Sequence, residues 1–208
     1  MDDLKQTEFP TEPTEPSAAK TQELPAILPP SGEDDEQFRA AQVRIKKMID
    51  ANAPLSDILS SLVLLIESQS PEMLCSVLLL SDDGNHMRHG AAPSLPEHYV
   101  KAIDGSPIGP KHGSCGTAMF RGKPVIVSDI FADPLWEDYR GYAAAIGVKA
   151  CWSTPVMSSR GKVLGSFAMY YREPRTPTGE ESRLTNVATH LASLAIEHHS
   201  SGETPVRT

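Results

Sequence analysis

The residues best suited to chemistry lie in the stretch HGSCGTA, in which His112 precedes Cys115 by three positions. If Ser114 caps a helix that starts here, Cys115 falls in its first turn, where the helix dipole lowers the pKa of a thiol. His112 would assist ionisation of that thiol. Cys115 is therefore a candidate nucleophile, although a small residue packed at a tight turn is the preferred interpretation.

The other cysteines and the histidines point to no metal or disulfide chemistry. Cys75, Cys115 and Cys151 are three in number and lack CxxC spacing, which argues against a disulfide framework and a zinc site. Such free thiols predict a cytoplasmic protein. His86 and His89 are three apart, so on a strand they lie on opposite faces and do not share a metal. No pattern identifies haem, and the identity of any cofactor stays open.

The charge is concentrated at the N-terminus. Residues 1–36 hold ten of the 27 acidic and two of the 19 basic residues, so they carry the net charge of -8 of the whole chain. The remainder has no dense basic patch, which argues against nucleic acid as a partner. There is no apolar run of 18 residues and no secretory signal, so no membrane association is predicted. Residues 1–33, rich in Pro and acids, are predicted to be a disordered tail.

The elements that must position these side chains follow from periodicity. Apolar residues three and four apart predict an N-terminal helix within 34–53, a second helix from residue 55 to Pro71, and a last helix from residue 178 to the end of the domain. In that last helix Thr178 and Glu181 form a capping-box pattern. Further helices are predicted at 96–103, after GSCGTA, and at 133–147. Strands are predicted at 74–80, 86–91, 124–127, 150–157 and 163–171.

This order predicts the α+β class, with a central antiparallel sheet of five to six strands and helices on both faces. The first and last helices have narrow apolar stripes. Such a stripe is typical of a helix that pairs with its counterpart in a second subunit. Packing on the sheet of the same chain explains it equally well.

Four motifs in order resemble the GAF domain, a small-molecule sensor module of bacterial signalling proteins. They are LLLSDDGNHMRHGAAPSLPEHY, IGPKHGSCGTAMFRGKPVIVSDI, DPLWEDYRGYAAAIGVKACWSTPV and GKVLGSFAMYYREPRTPTGEE. The likeness is to GAF domains found beside histidine-kinase or diguanylate-cyclase modules. It assigns residues 54–199 to the GAF domain and leaves 200–208 as a flexible C-terminus.

The resemblance implies a ligand pocket between one face of the sheet and the segment after residue 128. Its aromatic rings would suit a planar or mostly apolar ligand of unknown identity. The candidate ligand-binding residues are Ser114, Cys115, Trp136, Tyr139, Trp152 and Tyr170. The expected function is non-enzymatic: a cytoplasmic homodimer that senses a small molecule and signals through its terminal helices to a separate kinase or cyclase. A ligand-free dimerisation scaffold is an alternative.

A second alternative is an enzyme. One class of stand-alone GAF proteins reduces free methionine sulfoxide with a cysteine in a similar glycine turn, so Cys115 would be the catalytic thiol and Cys151 its resolving partner. That chemistry also needs carboxylates to hold the ammonium group of the substrate. The last strand carries Ala168, Met169 and Tyr170 where that class would place acids, so the resemblance departs from the enzyme at this point.

Overall fold

The computed structural model describes residues 33–202. The predicted disordered tail at 1–33 and flexible segment at 200–208 fall mainly outside this range. The helical elements are α1 (Glu33–Asp50), α2 (Leu55–Glu67), α3 (Glu97–Ile103), α4 (Gly113–Arg121), a 3-10 turn (Pro134–Trp136), α5 (Arg140–Ile146) and α6 (Gly179–Gly202). The strands are β1 (Leu74–Leu80), β2 (Met87–Ala91), β3 (Val125–Val127), β4 (Ala150–Met157) and β5 (Val163–Tyr171). Within 33–202 no helix combines the length and apolarity needed to cross a bilayer.

The five strands form one antiparallel sheet in the order β2-β1-β5-β4-β3. This confirms the predicted α+β fold with an antiparallel sheet between helices. The bounds of β4 and β5 are those that their apolar patterns predict, and β5 pairs with both β1 and β4. The middle of the sheet is therefore β5, and its side chains take part in both cores of the domain.

Alternation along the strands divides the side chains of the sheet between two hydrophobic cores. On one face, α1, α2 and α6 cover a core to which β5 contributes Met169 and Tyr171. On the opposite face, α3, α4 and α5 cover a second core to which β5 contributes Ala168 and Tyr170. Consecutive residues of one strand thus contact two separate sets of helices.

The terminal helices pack within their own chain. Phe38 and Ile45 of α1, and Leu184 and Leu191 of α6, are buried in the first core. The apolar stripes that suggested a second subunit are therefore accounted for by intramolecular packing. Pairing with a second copy stays a prediction that involves other surfaces of these helices.

The predicted capping box starts α6. The Thr178 hydroxyl accepts a hydrogen bond from the backbone N–H of Glu181 at 3.2 Å, and the Glu181 carboxylate accepts one from the backbone N–H of Thr178 at 2.8 Å. Two backbone donors without intrahelical partners are satisfied reciprocally. This sequence prediction is confirmed.

The helix predicted over 133–147 is wrong in its first half. The chain forms a single 3-10 turn at Pro134–Trp136, and α5 begins only at Arg140. The Asp133 carboxylate caps this turn by accepting from the backbone N–H of Leu135 at 2.8 Å. Trp136 is fixed to the interior by a hydrogen bond to Ser114, so a tertiary contact overrides local helix propensity here.

Candidate functional site

A small, partly open cavity lies on the second face of the sheet, between α3, α4, α5 and the middle strands. Its volume is about 20 Å³, which is room for about one water molecule. Six of the twelve lining residues carry an aromatic ring, and one thiol and one serine hydroxyl lie among them. The lining residues are Leu78, Met87, Tyr99, Ile103, His112, Gly113, Ser114, Cys115, Trp136, Tyr139, Tyr142 and Tyr170.

Ser114 anchors one wall of the cavity. Its hydroxyl accepts a hydrogen bond from Trp136 Nε1 at 2.9 Å and donates one to the backbone carbonyl of Cys151 at 2.9 Å. The sequence prediction that Ser114 caps α4 is wrong, because His112 occupies the capping position and makes no side-chain cap. Gly113, with φ of 59°, lets the backbone turn beneath the Trp136 ring.

Two aromatic side chains cover the mouth of the cavity. The Tyr139 hydroxyl and His112 Nδ1 are joined by a hydrogen bond of 2.9 Å. The Tyr139 ring also lies edge-on to Trp136, with centroids 6.4 Å apart. Tyr142 lies beside Tyr139 and is 44% exposed. We call Tyr139 and Tyr142 the lid, since one hydrogen bond and ring contacts hold them over the interior.

The Cys115 thiol lies at the base of the cavity. Its sulfur is 3.8 Å from the Tyr170 hydroxyl, which is 3.0 Å from the hydroxyl of Ser76. A hydrogen bond with the Cys151 thiol, supported by the Ser153 hydroxyl, lowers the pKa of Cys115 despite its burial. Burial raises the pKa of Cys151 well above its ordinary value. Neighbouring thiol and hydroxyl groups perturb Cys115, whereas His112 is engaged by the lid.

Two buried hydroxyls lie behind Cys115. Ser153 and Ser166 are each about 1% exposed, and their Oγ atoms have no hydrogen-bond partner that meets ordinary geometry among the described residues. Both hydroxyls lie against the Cys115 sulfur, which is only a weak acceptor. Neither serine is among the lining residues, so this unused hydrogen-bonding capacity lies behind the Cys115 thiol, beyond the cavity wall.

Five of the six predicted ligand-binding residues line this cavity: Ser114, Cys115, Trp136, Tyr139 and Tyr170. Trp152 does not, because it follows Cys151 on β4 and its side chain lies on the other face of the sheet. Cys151 contributes its carbonyl and a thiol beneath the wall. Among the described residues, no group of three or more His, Cys, Asp or Glu side chains could hold a metal ion.

Sequence reasoning missed Tyr99, Met87 and the two buried serines. Tyr99 lies on the predicted helix at 96–103, and its ring meets Tyr170 edge-on with centroids 6.2 Å apart. An aromatic residue on a short helix beside the sheet was the available signal. Ser153 and Ser166 interrupt otherwise apolar strands, and that interruption was the signal for a polar base.

A second cluster lies on the opposite face, where β5 meets the start of α6. The buried Glu181 carboxylate accepts hydrogen bonds from the Tyr171 hydroxyl at 2.7 Å and from Arg175 Nη2 at 2.8 Å. The Arg175 guanidinium lies 4.3 Å from the Tyr171 ring centroid, and the Arg175 carbonyl accepts from Trp152 Nε1 at 3.2 Å. We call Trp152, Tyr171, Arg175, Thr178 and Glu181 the clasp, because they join β4 and β5 to α6.

Burial and hydrogen bonding act in opposite directions on Glu181. Burial by itself raises the pKa of its carboxyl. Hydrogen bonds from Tyr171 and Thr178, together with the Arg175 charge, outweigh that effect and lower the pKa below its ordinary value. The carboxylate is therefore ionised at neutral pH, and its ionised form stabilises the clasp.

Comparison with known proteins gives one consistent family. The GAF domain family model matches residues 52–197. A methyl sulfide methyltransferase-associated sensor of Methanosarcina acetivorans is 41% identical over 163 residues, which cover 78% of this chain and 16% of that protein. This chain therefore spans about a sixth of the length of that relative.

Solved structures share the fold. The GAF domain of a phosphoenolpyruvate-protein phosphotransferase from Acinetobacter is 17% identical, with a TM-score of 0.59 over 80% of this chain and 97% of that one. The free methionine-R-sulfoxide reductase of Neisseria meningitidis is 14% identical, with a TM-score of 0.60 over 85% of this chain and 98% of that one. At these identities the likeness concerns architecture.

Proposed function

We propose that this chain, which belongs to the GAF domain family, is a small-molecule sensor. Its ligand occupies the aromatic cavity and changes the position of α6 relative to the sheet. The similar protein of Methanosarcina acetivorans is named as a sensor, and the cavity and the clasp of this chain support the same function. A ligand acts by favouring one of two arrangements, so its contacts with the protein must differ between them.

The observation that carries this proposal is the alternation of β4 and β5. Cys151 and Tyr170 belong to the core beside the cavity, and the next residues, Trp152 and Tyr171, belong to the clasp. Each strand therefore contacts both sites through adjacent residues. A ligand that displaces Tyr170 moves the backbone that carries Tyr171.

The clasp is sensitive to such a displacement. The bond from the Tyr171 hydroxyl to Glu181 is 2.7 Å long, and a shift of about 1 Å would take it beyond ordinary hydrogen-bonding range. Because Glu181 lies in the first turn of α6 and also pairs with Arg175, the loss would alter the start of the helix. We infer that ligand binding reaches α6 by this route.

The three helices that cover the first core supply surfaces for an output. Val43 of α1, Leu64 of α2 and Leu194 of α6 are apolar and exposed. Such side chains favour contact with a second copy or with a separate partner, for which a kinase or cyclase in the cytoplasm is our proposal. The association with a methyl sulfide methyltransferase, which the name of the Methanosarcina acetivorans relative states, is a property of that protein.

The coupling is tested by a double-mutant cycle that needs no ligand. Trp136→Phe perturbs the cavity and Tyr171→Phe perturbs the clasp, and distant independent sites add within about 0.5 kcal/mol. We expect an interaction free energy above that limit in urea denaturation. The matched control combines Trp136→Phe with Ser56→Ala on α2, and the changes in unfolding free energy of these two substitutions should add. Additive behaviour of Trp136→Phe and Tyr171→Phe would remove the proposed route to α6.

Native mass spectrometry after gentle purification tests occupancy. Extra mass on the folded protein supports the sensor. Bare protein in every preparation supports the alternative of a ligand-free scaffold, which the small volume of the cavity favours.

The alternative of a thiol-dependent reductase of free methionine sulfoxide rests on the contact between the Cys115 and Cys151 thiols. Its zwitterionic substrate needs a carboxylate for the ammonium group, and the residues lining the cavity in the described part of the chain include none. A coupled assay with methionine sulfoxide decides the matter. If the wild-type protein turns over the substrate and Cys115→Ser does not, the protein is an enzyme and the sensor proposal fails.

A further inference from the structure

The chemistry of the cavity wall limits what it can bind. Among the described lining residues there is no Asp, Glu, Lys or Arg. A charged ligand bound there would lose hydration without a carboxylate, ammonium or guanidinium group to pair with, and the titratable groups of the wall are only His112, Cys115 and tyrosines. An uncharged molecule avoids this cost and gains contact with the surrounding rings.

Two unused and fully buried hydroxyls lie together behind the Cys115 end of the cavity. Trp136 Nε1 and the Ser114 hydroxyl already bond each other. The Ser153 and Ser166 hydroxyls, buried behind Cys115, have no partner with ordinary geometry in the described chain. Each hydroxyl has only the Cys115 sulfur as a weak acceptor, so a polar atom of a ligand that reaches past the thiol offers both hydroxyls a better acceptor. A polar edge on the ligand is expected there, with apolar surface elsewhere.

The lid determines the route by which a ligand enters the cavity and the size of the ligand that fits. With room for about one water, the cavity must enlarge before a ring can enter. The Tyr139 side chain is the movable part of the wall, because its hydroxyl makes one hydrogen bond among the described residues, to His112, and its ring lies at the mouth. When it swings outward, the space that it leaves is the size of one aromatic ring.

From these three observations we infer that the cavity takes an uncharged molecule of about one aromatic ring, with a single hydrogen-bonding edge directed past Cys115 toward Ser153 and Ser166. The inference rests on the proposed sensing function and adds the chemical class of the ligand. Entry requires the lid to open, and the ring of the ligand then packs against Trp136 and Tyr170.

The test uses three probes that share a phenyl ring and differ in charge: benzyl alcohol, benzoate and benzylamine. Binding to the full chain at neutral pH is measured by saturation-transfer NMR and titration of tryptophan fluorescence. We expect benzyl alcohol to bind at least about ten-fold more tightly than either charged probe, which corresponds to about 1.4 kcal/mol. Tyr139→Phe should accelerate its association.

Serine variants test the polar end. Ser153→Ala and Ser166→Ala should each weaken benzyl alcohol about five-fold, the worth of about 1 kcal/mol for one hydrogen bond, and leave toluene unchanged. Ser56→Ala, on the exposed side of α2, is the matched control and should change neither.

Each outcome has a distinct meaning. Equal binding of charged and uncharged probes overturns the ligand class and leaves the sensor proposal intact. An equal loss of benzyl alcohol and toluene in the serine variants overturns the polar edge. If no probe binds, even to Tyr139→Phe, the inference is refuted, while the double-mutant cycle judges the coupling to α6 independently. Probe selectivity in the wild-type protein decides the class if a serine variant fails to fold.

Discussion

Replacement of Glu181 by Gln should destabilise the domain because the clasp relies on a charged acceptor. Each carboxylate oxygen accepts two hydrogen bonds: one oxygen from Tyr171 and Arg175, the other from the backbone and hydroxyl of Thr178. Gln has the same shape, but its amide nitrogen must replace one of these oxygens and then faces two donors. Two hydrogen bonds to a charged acceptor are lost, each worth about 1.5–3 kcal/mol, with partial recovery by water.

We therefore expect Glu181→Gln to lower the free energy of unfolding by about 3 kcal/mol. For a domain of this size that is a decrease of about 6–12 °C in Tm. The measurement is urea denaturation followed by circular dichroism. The matched control is Glu180→Gln, next to it in the sequence, whose exposed pair with Arg183 predicts a change within about 0.5 kcal/mol.

The pH dependence follows from the lowered pKa of Glu181. A carboxyl whose pKa is lower in the folded state stabilises the protein above its unfolded pKa, and this contribution is lost as the pH falls through the folded pKa. The difference between wild type and Glu181→Gln should therefore narrow from about pH 5 to about pH 3. Equal losses in the two Gln variants, or a difference that does not change with pH, would refute the assignment of the clasp.

Two further predictions concern close packing and the lid. A Cβ on Gly165 would overlap the backbone carbonyl oxygen of Leu78 on β1, so Gly165→Ala should lower the free energy of unfolding by more than about 3 kcal/mol or abolish soluble expression. The control, Gly141→Ala in α5, meets nothing within 4 Å and should be neutral or slightly stabilising in thermal denaturation. Tyr139→Phe should raise the rate of alkylation of Cys115 about five-fold, as expected for one lost hydrogen bond, and leave Cys75 in the other core protected. Peptide mapping by mass spectrometry measures both rates. Equal acceleration of the two thiols would indicate that the variant destabilises the whole domain rather than the lid.

Local signals account for the parts of the fold that the sequence predicts well. The apolar runs of β4 and β5 and the Thr178–Glu181 capping box involve residues close in the chain, and the structure confirms them. The helix predicted over 133–147 fails because a contact to Ser114, 22 residues away, fixes the turn at Trp136. Helix propensity contains no information about that partner.

The candidate site could be predicted only in part, since it depends on register between distant strands. Cys151 pairs with Tyr170 and Trp152 with Met169, and this pairing decides which aromatic rings share a face. A shift of one residue would bring Trp152 to the cavity and remove Cys151 from it. The sequence therefore identifies the aromatic residues of the region but cannot distribute Tyr170 and Trp152 between the two cores.

The residues of GSCGTA are small because α4 lies directly on the middle strands, and the same requirement leaves Cys115 as a weak partner for two serine hydroxyls. A nucleophile needs access as well as an ionisable thiol, whereas Cys115 is buried beneath the lid. Its lowered pKa arises from Cys151, Ser153 and other groups that would also meet the polar edge of a ligand. Polar groups at the base of an apolar cavity are therefore enough to lower the pKa of a thiol. For this reason the lowered pKa of Cys115 alone does not favour catalysis over binding.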